Sequence, residues 1–343
     1  MKRVVIAVGG TGGHVLPALK IGRRLGRRIE VSYVGVGLLR NRYFEQSEVH
    51  YEIPGGKLPQ AWRQNIHGIL QARRLLRRIE PEYVIGFGSF HSFPVLAAAA
   101  YLGIPYYLFE FNVVPGRVNR LFSRGAKKTF IHFEPQVKSL KGALAKIDYA
   151  FEEIESISQS EALRHFGLEA GRKTLLVFGG SQGSDAINEL IEKGAPKLKE
   201  EFQILHFPGK ESNLKGVYDS LSIPSYVEPF CHRMHLAWAA CDLAICRSGA
   251  GAMREMLMYE KPAILIPWLG AKDDHQMYNA KYMEEKVKGA ICLKQNELTP
   301  DCLVEAIFAS TKKIGSMKQS IQLFKQAEKR PSFMEELCES ITL

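Results

Sequence analysis

Val4-Val5-Ile6-Ala7-Val8-Gly9-Gly10-Thr11-Gly12-Gly13-His14 opens the 343-residue chain as an apolar strand that runs into a glycine-rich turn and ends on a histidine. Leu16, Pro17, Ala18, Leu19 and Ile21 then begin a helix. A strand, a tight glycine turn and a helix amino terminus gather unpaired backbone N–H groups around one point, which suits an anion such as a diphosphate. Two better-known glycine loops fit poorly. A dinucleotide fingerprint needs G-x-G-x-x-G and an acid about 20 residues further on. Here Val15 stands where the third glycine belongs, and the second strand ends in Gly35-Val36-Gly37 without an acid. A P-loop needs Gly-Lys-Ser/Thr, and neither this turn nor the later Gly179-Gly180-Ser181-Gln182-Gly183 carries the lysine. A purely structural role for the glycines leaves His14 unexplained.

Outward from this turn, strands and helices alternate. Strands are expected over 4–8, 31–34, 51–53, 83–86, 105–109 and 128–132, with helices to Leu25, over 40–47, on a basic stretch from Trp62, over 95–102 and over 117–123. Such alternation predicts a parallel doubly wound sheet, with ligands at the carboxyl ends of its strands. Residues 135–171 turn polar and acidic and read as a crossover. The design then restarts: a strand over 174–178, the glycine turn 179–184 and a helix over 185–192, with later strands over 202–207, 226–230, 243–246, 263–267 and 289–293. The expectation is an α/β chain of two Rossmann-like, doubly wound parallel-sheet domains facing a cleft that holds the ligand. The domains are expected at 1–150 and 151–327, with a last helix in 328–343 crossing back to the first.

Composition narrows the function class. No residue type dominates and no short repeat is present, so disordered, collagen-like and solenoid chains are excluded. The six cysteines (Cys231, Cys241, Cys246, Cys292, Cys302, Cys338) lack C-x-x-C spacing and read as reduced thiols of a cytosolic protein. Met1-Lys2-Arg3 leads directly into a strand, not a signal peptide. Residues 83–109 carry no formal charge, but Pro94, Gly103 and Pro105 break them into buried core elements, not a membrane span. The formal net charge of +10 is concentrated early, in Arg23, Arg24, Arg27 and Arg28 and again in Arg63, Arg73, Arg74, Arg77 and Arg78. The second group interleaves with Trp62, Ile66, Ile69, Leu70, Leu75, Leu76 and Ile79, a pattern that suits an anionic leaflet. The Leu75–Ile79 end reads instead as packing on the sheet. No nucleic-acid recognition motif accompanies the charges.

The second half carries a third strand-turn-helix, in which Leu243-Ala244-Ile245-Cys246 runs into Arg247-Ser248-Gly249-Ala250-Gly251-Ala252, with Glu255 one or two helical turns in. The turn's N–H groups suit a phosphate, and a carboxylate accepts hydrogen bonds from both hydroxyls of a ribose. Without that turn Glu255 would read as an exposed helix glutamate. Gln276 and Asn279, three apart, share a helix face from which amides can reach sugar hydroxyls. Asp273 reads as a helix N-cap, a better account than a metal set with Asp274 and His275.

These motifs resemble the MurG family of glycosyltransferases: Gly9-Gly10-Thr11-Gly12-Gly13-His14, Gly179-Gly180-Ser181-Gln182-Gly183, Cys246-Arg247-Ser248-Gly249-Ala250 with Glu255, and Asp273-Asp274-His275-Gln276 with Asn279-Ala280, in family order over nearly the whole chain. The resemblance implies the GT-B fold and inverting transfer of N-acetylglucosamine (GlcNAc) from UDP-GlcNAc to lipid I, making lipid II for peptidoglycan synthesis. It implies no cofactor and no metal for the donor. It also implies a peripheral place on the anionic cytoplasmic leaflet of the bacterial inner membrane, and other cell-wall enzymes as partners. Carried over by residue, His14 is the leading catalytic base. Thr11, Gly12 and Gly13 face donor sugar and acceptor diphosphate, with Asn112 near the sugar. Ser181, Gln182 and Gly183 meet the UDP phosphates, and Cys231 meets uracil through its backbone. Arg247 and the run Ala250, Gly251, Ala252, Met253, Arg254 and Glu255 cradle diphosphate and ribose, while Gln276 and Asn279 bind GlcNAc hydroxyls. Gly10, Ser89, His91 and Glu110 fall to the acceptor.

The chain departs from the family in three places. The usual H-E-Q-N reads Phe109-Glu110-Phe111-Asn112, and the G-N-P-V-R segment has no counterpart between 146 and 158. The second glycine loop reads Gly86-Phe87-Gly88-Ser89-Phe90-His91-Ser92, making His91 a second candidate base. On sequence, epimerisation of UDP-GlcNAc, transfer to another lipid and a non-catalytic UDP-sugar scaffold stay open beside lipid I transfer.

Overall fold

The structure, a computed structural model, describes residues 2–341 apart from 11, 42, 46, 58–59, 136–138, 149–156 and 329, and without the side chains of 272 and 341. The chain divides into two compact units, Met1–Glu152 with Arg330–Leu343, and Glu153–Lys329.

The first unit runs β1 (Arg3–Ala7), α1 (Gly12–Leu25), β2 (Glu30–Gly35), β3 (His50–Glu52), α2 (Trp62–Ile79), β4 (Tyr83–Gly86), α3 (Ser89–Leu102), β5 (Tyr106–Glu110), α4 (Arg117–Phe122), β6 (Lys128–Ile131) and β7 (Leu144–Lys146). Among the described residues its sheet has the order β3-β2-β1-β4-β5-β6-β7, every pair parallel. Strand order reverses between β1 and β4, so the loops following these two strands flank the crevice where such sheets bind ligands. Val5, Ala7, Val84 and Leu108 of the strands pack under Ala72, Leu75 and Leu76 of α2 and Val95, Leu96, Ala98 and Ala99 of α3.

The second unit runs α5 (Gln159–His165), β8 (Lys173–Phe178), α6 (Asp185–Gly194), β9 (Phe202–Phe207), α7 (Leu214–Ser220), β10 (Ser225–Val227), α8 (Met234–Ala240), β11 (Leu243–Cys246), α9 (Ala250–Tyr259), β12 (Ala263–Leu265), α10 (His275–Glu285), β13 (Ala290–Cys292), α11 (Pro300–Thr311) and α12 (Ile314–Ala327). Its sheet order among the described residues is β10-β9-β8-β11-β12-β13, again parallel throughout, with the switch between β8 and β11. The chain then returns to the first unit as α13 (Phe333–Ile341). Phe333 of α13 sits edge-on to Phe109 at 4.6 Å and to Phe130 at 5.3 Å, and Lys128 pairs with Glu336 at 2.6 Å.

Three sequence expectations are corrected. No helix forms over the described residues of 40–47. Asn41 instead anchors successive turns, its Oδ1 accepting from the Tyr43 N–H at 3.0 Å, because a short polar side chain competes with helical backbone bonding. The helix expected over 95–102 begins at Ser89, immediately after β4, because Gly88 (φ 69°) and Ser89 (φ 66°) turn the chain at once. The stretch read as a crossover contains β7, which pairs with β6, and α5, which Ser158 and Glu161 open with a capping box.

Candidate functional site

In the second unit the two turns at the switch point are built differently. The turn after β8 is held tight: a Cβ on Gly183 (φ 73°) would stand 2.2 Å from the Pro208 carbonyl oxygen, so only glycine lets the two loops touch. Ser184 closes the turn, capping α6 through the Ile187 N–H and accepting from the Arg247 guanidinium at 2.7 Å. Ser181 is half-buried and Gln182 exposed on its rim. Beneath lies a buried chain in which His206 bonds Tyr218 at 2.7 Å and Asn188 at 3.0 Å, and Asn188 donates to the Pro208 carbonyl. Burial pushes His206 down to about 3, so it is neutral.

The turn after β11 is left open. No side chain caps α9, and its first helical bond runs from Met253 N–H to Gly249 C=O, so the N–H groups of Ala250, Gly251 and Ala252 face outward. A Cβ on Gly249 or Gly251 would meet nothing within 4 Å. The helix dipole and these donors make a seat for an anion. Glu255 follows on α9, its side chain 24% exposed. It therefore departs from the exposed-glutamate reading: Oε2 accepts from the indole N–H of the fully buried Trp238 at 2.8 Å. Burial first, with Glu228 and Glu255 adding negative charge, pushes the Cys231 thiol up to about 11 and leaves it protonated.

Other residues assigned to the donor act from below. Arg247 is buried, donating to the carbonyls of Ile266 (3.1 Å) and Pro267 (3.2 Å) as well as to Ser184, so it clips the two turns together. Burial lowers its affinity for the proton. Met253 is core, and Arg254, 8% exposed, lies along α9 toward Met258. Asn279 is fully buried and donates to the Ser248 carbonyl at 3.0 Å, while the Ser248 hydroxyl donates to the Gln276 carbonyl at 2.7 Å. The shared face expected of Gln276 and Asn279 is thus corrected: Asn279 fastens α10 to the turn, and only Gln276 keeps an accessible amide. The Gln276 Oε1 accepts from the Trp268 N–H at 2.9 Å, which leaves its NH2 end as a donor. Asp273 is not the N-cap of α10. That place belongs to Asp274, in left-handed backbone and without a side-chain cap bond.

In the first unit, the loops after β1 and β4 press together at the switch point. A Cβ on Gly10 (φ 95°) would come within 2.9 Å of the His91 ring, and one on Gly12 within 2.6 Å of Tyr43. The Asn41 amide donates to the Gly10 carbonyl, fixing the turn from the far side. Thr11 lies outside the described residues; Gly13 is exposed and His14 half-buried in the first turn of α1. His91 shares a hydrogen bond with Ser89 Oγ at 2.7 Å and stacks on Phe90 at 3.8 Å. Burial, then the positive charges of His14 and Lys57, push His91 down to about 4, so it is a weak proton acceptor at neutral pH. Glu110 is 3% exposed and spends both oxygens on its own loop. It accepts from the Asn112 backbone (3.0 Å) and amide (3.3 Å), the Gly116 N–H (2.8 Å) and the Asn119 amide (2.9 Å). The acceptor role expected of Glu110 is corrected to shaping the loop that presents Asn112. Among the described residues, no group of three or more His, Cys, Asp and Glu stands in metal-holding proximity.

Sequence reasoning missed Asn41, Tyr43 and Trp238, none of which lies in a motif, and it gave Ser248, inside one, no role of its own; each acts through a contact that folding creates.

Comparison with known proteins agrees with this architecture. Residues 4–131 match the Glycosyltransferase family 28 N-terminal domain and residues 174–337 its C-terminal domain. The chain is 35% identical over 325 residues to a UDP-N-acetylglucosamine--N-acetylmuramyl-(pentapeptide) pyrophosphoryl-undecaprenol N-acetylglucosamine transferase of Protochlamydia amoebophila, covering 89% of this chain and 86% of that one. It is 32% identical over 358 residues to the enzyme of the same name from Chlamydia pneumoniae, covering 99% of each. The crystal structure of Acinetobacter baumannii MurG shares the fold, with a TM-score of 0.79 at 24% identity over 100% of this chain and 99% of that one. With both domains in order and relatives above 30% identity matching nearly end to end, the chain belongs to glycosyltransferase family 28 and, within it, to the MurG family.

Proposed function

We propose that this protein is an inverting transferase that moves GlcNAc from UDP-GlcNAc to the C4 hydroxyl of the N-acetylmuramoyl residue of lipid I, yielding lipid II and UDP. The observation that carries the reading is the uncapped amino terminus of α9, with Glu255 oriented one turn beyond it. In this reading the diphosphate accepts hydrogen bonds from Ala250, Gly251 and Ala252, Glu255 accepts from the ribose hydroxyls, and the Gln276 amide donates to the sugar. Ser181 and Gln182 reach the diphosphate from the neighbouring turn. His14 takes the proton of the C4 hydroxyl, whose oxygen bonds to the anomeric carbon as the bond to UDP breaks. The departing negative charge meets preorganised N–H dipoles, which are worth most in a water-poor site. We place no metal and no cofactor in donor binding.

The acceptor's polyprenyl chain calls for a membrane surface. Among the described residues no helix is long and apolar enough to cross one. The exposed stripe Trp62, Ile66 and Leu70 on α2, bordered by Arg63, Arg74 and Arg77, supports attachment to an anionic leaflet, which is the cytoplasmic face in this reading.

Purified protein given radiolabelled UDP-GlcNAc and a lipid I analogue in EDTA is expected to release UDP and form a disaccharide lipid. His14→Ala should lower turnover by roughly 10²–10⁴ with UDP affinity unchanged. UDP-ManNAc as product, dependence on added divalent metal, or full turnover by His14→Ala would each overturn the corresponding part.

A further inference from the structure

The indole of Trp238 is a hydrogen-bond donor with no acceptor capacity, it lies fully buried on α8, and the partner it finds is not a backbone carbonyl but the Glu255 carboxylate at 2.8 Å. Phe178, the last residue of β8, holds the indole edge-on at 5.8 Å and 84°, so the ring cannot swing. The bond uses Oε2. Oε1 stands 3.7 Å from the Arg254 guanidinium, and the side chain keeps 24% of its surface open. A glutamate on a helix surface samples several rotamers and loses that freedom when it binds a ligand. Here it is lost on folding, and the remaining lone pairs of the carboxylate are aimed before any ligand arrives.

We infer that Trp238 is a positioning residue for donor recognition: its N–H fixes the Glu255 carboxylate so that it selects a ribonucleotide over a 2′-deoxyribonucleotide. The inference rests on the reading of Glu255 as the ribose contact. Nothing in the motif around Glu255 announces Trp238, which lies 17 residues upstream on another helix.

Titration of the full-length protein with UDP and with 2′-deoxy-UDP tests this in the wild type, Trp238→Phe, Glu255→Ala and the double variant. The wild type should bind UDP about tenfold more tightly than 2′-deoxy-UDP, which a charge-assisted hydrogen bond supports. Trp238→Phe should weaken UDP about fivefold, leave 2′-deoxy-UDP within about twofold and add nothing to Glu255→Ala. In the transferase assay the same variant should raise the donor KM by that factor with kcat within about twofold. Equal weakening of both nucleotides, or further loss in the Glu255→Ala background, would reduce Trp238 to packing and overturn the inference. A wild type blind to the 2′-hydroxyl, with Glu255→Ala binding UDP normally, would overturn the ribose reading and this inference with it. If Trp238→Phe melts at assay temperature, the indole N–H resonance answers instead. The chain has three tryptophans, so Trp62→Phe and Trp268→Phe assign it. It should shift in Glu255→Ala and again when UDP binds the wild type. A resonance indifferent to UDP overturns the inference.

Discussion

Two carboxylates, one buried and one partly exposed, illustrate how identity alone leaves a residue's task open. Glu110 closes β5 and Glu255 lies on α9, yet Glu110 accepts four hydrogen bonds from the following loop and α4 and is 3% exposed, while Glu255 accepts one strong bond from Trp238 and stays partly open. The first is consumed by structure, whereas the second is held ready. Replacing Glu110 by Gln sets an amide NH2 against the donors of Gly116 or Asn119, and is expected to destabilise the protein by about 1–3 kcal/mol. The measurement is the shift in urea midpoint, together with the donor KM, which should rise because Asn112 loses its anchor. An unchanged midpoint would contradict the hydrogen-bond assignment. Arg247 follows the same logic: a guanidinium that motif reading turns toward phosphate instead joins two carbonyls and a serine inside the protein.

Among the elements, α2 separates two requirements onto two faces. Asn65, Gly68, Ala72, Leu75 and Leu76 are buried, and Gly68 lets the helix approach Pro54 so closely that a Cβ would stand 2.0 Å from its carbonyl oxygen. On the other side Trp62 and Ile66 remain 53% and 50% exposed, with Arg63 over the Trp62 ring at 5.2 Å. Ser at both exposed positions should leave folding intact and weaken binding to anionic vesicles by about 3 kcal/mol or less, given roughly 1.5–3 kcal/mol for fully burying one large side chain. Vesicle sedimentation measures it, and the residual binding should fall as salt screens the arginines. Equal sedimentation of variant and wild type would remove this face from the membrane reading. The α9 amino terminus is the complementary case, an element end whose lack of a cap is its chemical asset.

For the molecule as a whole, the buried His206 and the half-buried His91 tie stability to pH. His206 is held down to about 3 by burial, and His91 to about 4 by burial and by His14 and Lys57. As pH falls below about 6.5 the unfolded chain takes up protons that the folded chain refuses, so stability declines toward pH 4, for His206 by up to about 1.4 kcal/mol per pH unit. Above about 6.5 both states leave these groups neutral and the dependence vanishes. Urea unfolding of a Trp62→Phe protein, whose remaining tryptophans Trp238 and Trp268 lie in the second unit, reads the His206 contribution. The midpoint should fall between pH 6.5 and 5, where carboxylates stay ionised, and the fall should shrink in His206→Gln. A level midpoint across that interval would contradict a neutral buried His206.

Both strand-turn-helix openings, the parallel alternation, the restart at residue 174 and the returning helix were legible in the sequence, because backbone demands such as glycine turns and apolar runs are met locally. The capping box Ser158-Gln159-Ser160-Glu161 is equally local, but reading 135–171 as a polar crossover passed over it and the helix it opens. The helix expected over 40–47 failed because the Asn41 side chain bonds both its own segment at Tyr43 and Gly10, 31 residues away. Tertiary structure alone decided which polar groups face out and which are spent inside: Gln276 against Asn279, Glu255 against Glu110. Exposure and proton affinity depend on what other elements lay over a side chain, and no stretch of sequence contains its own covering.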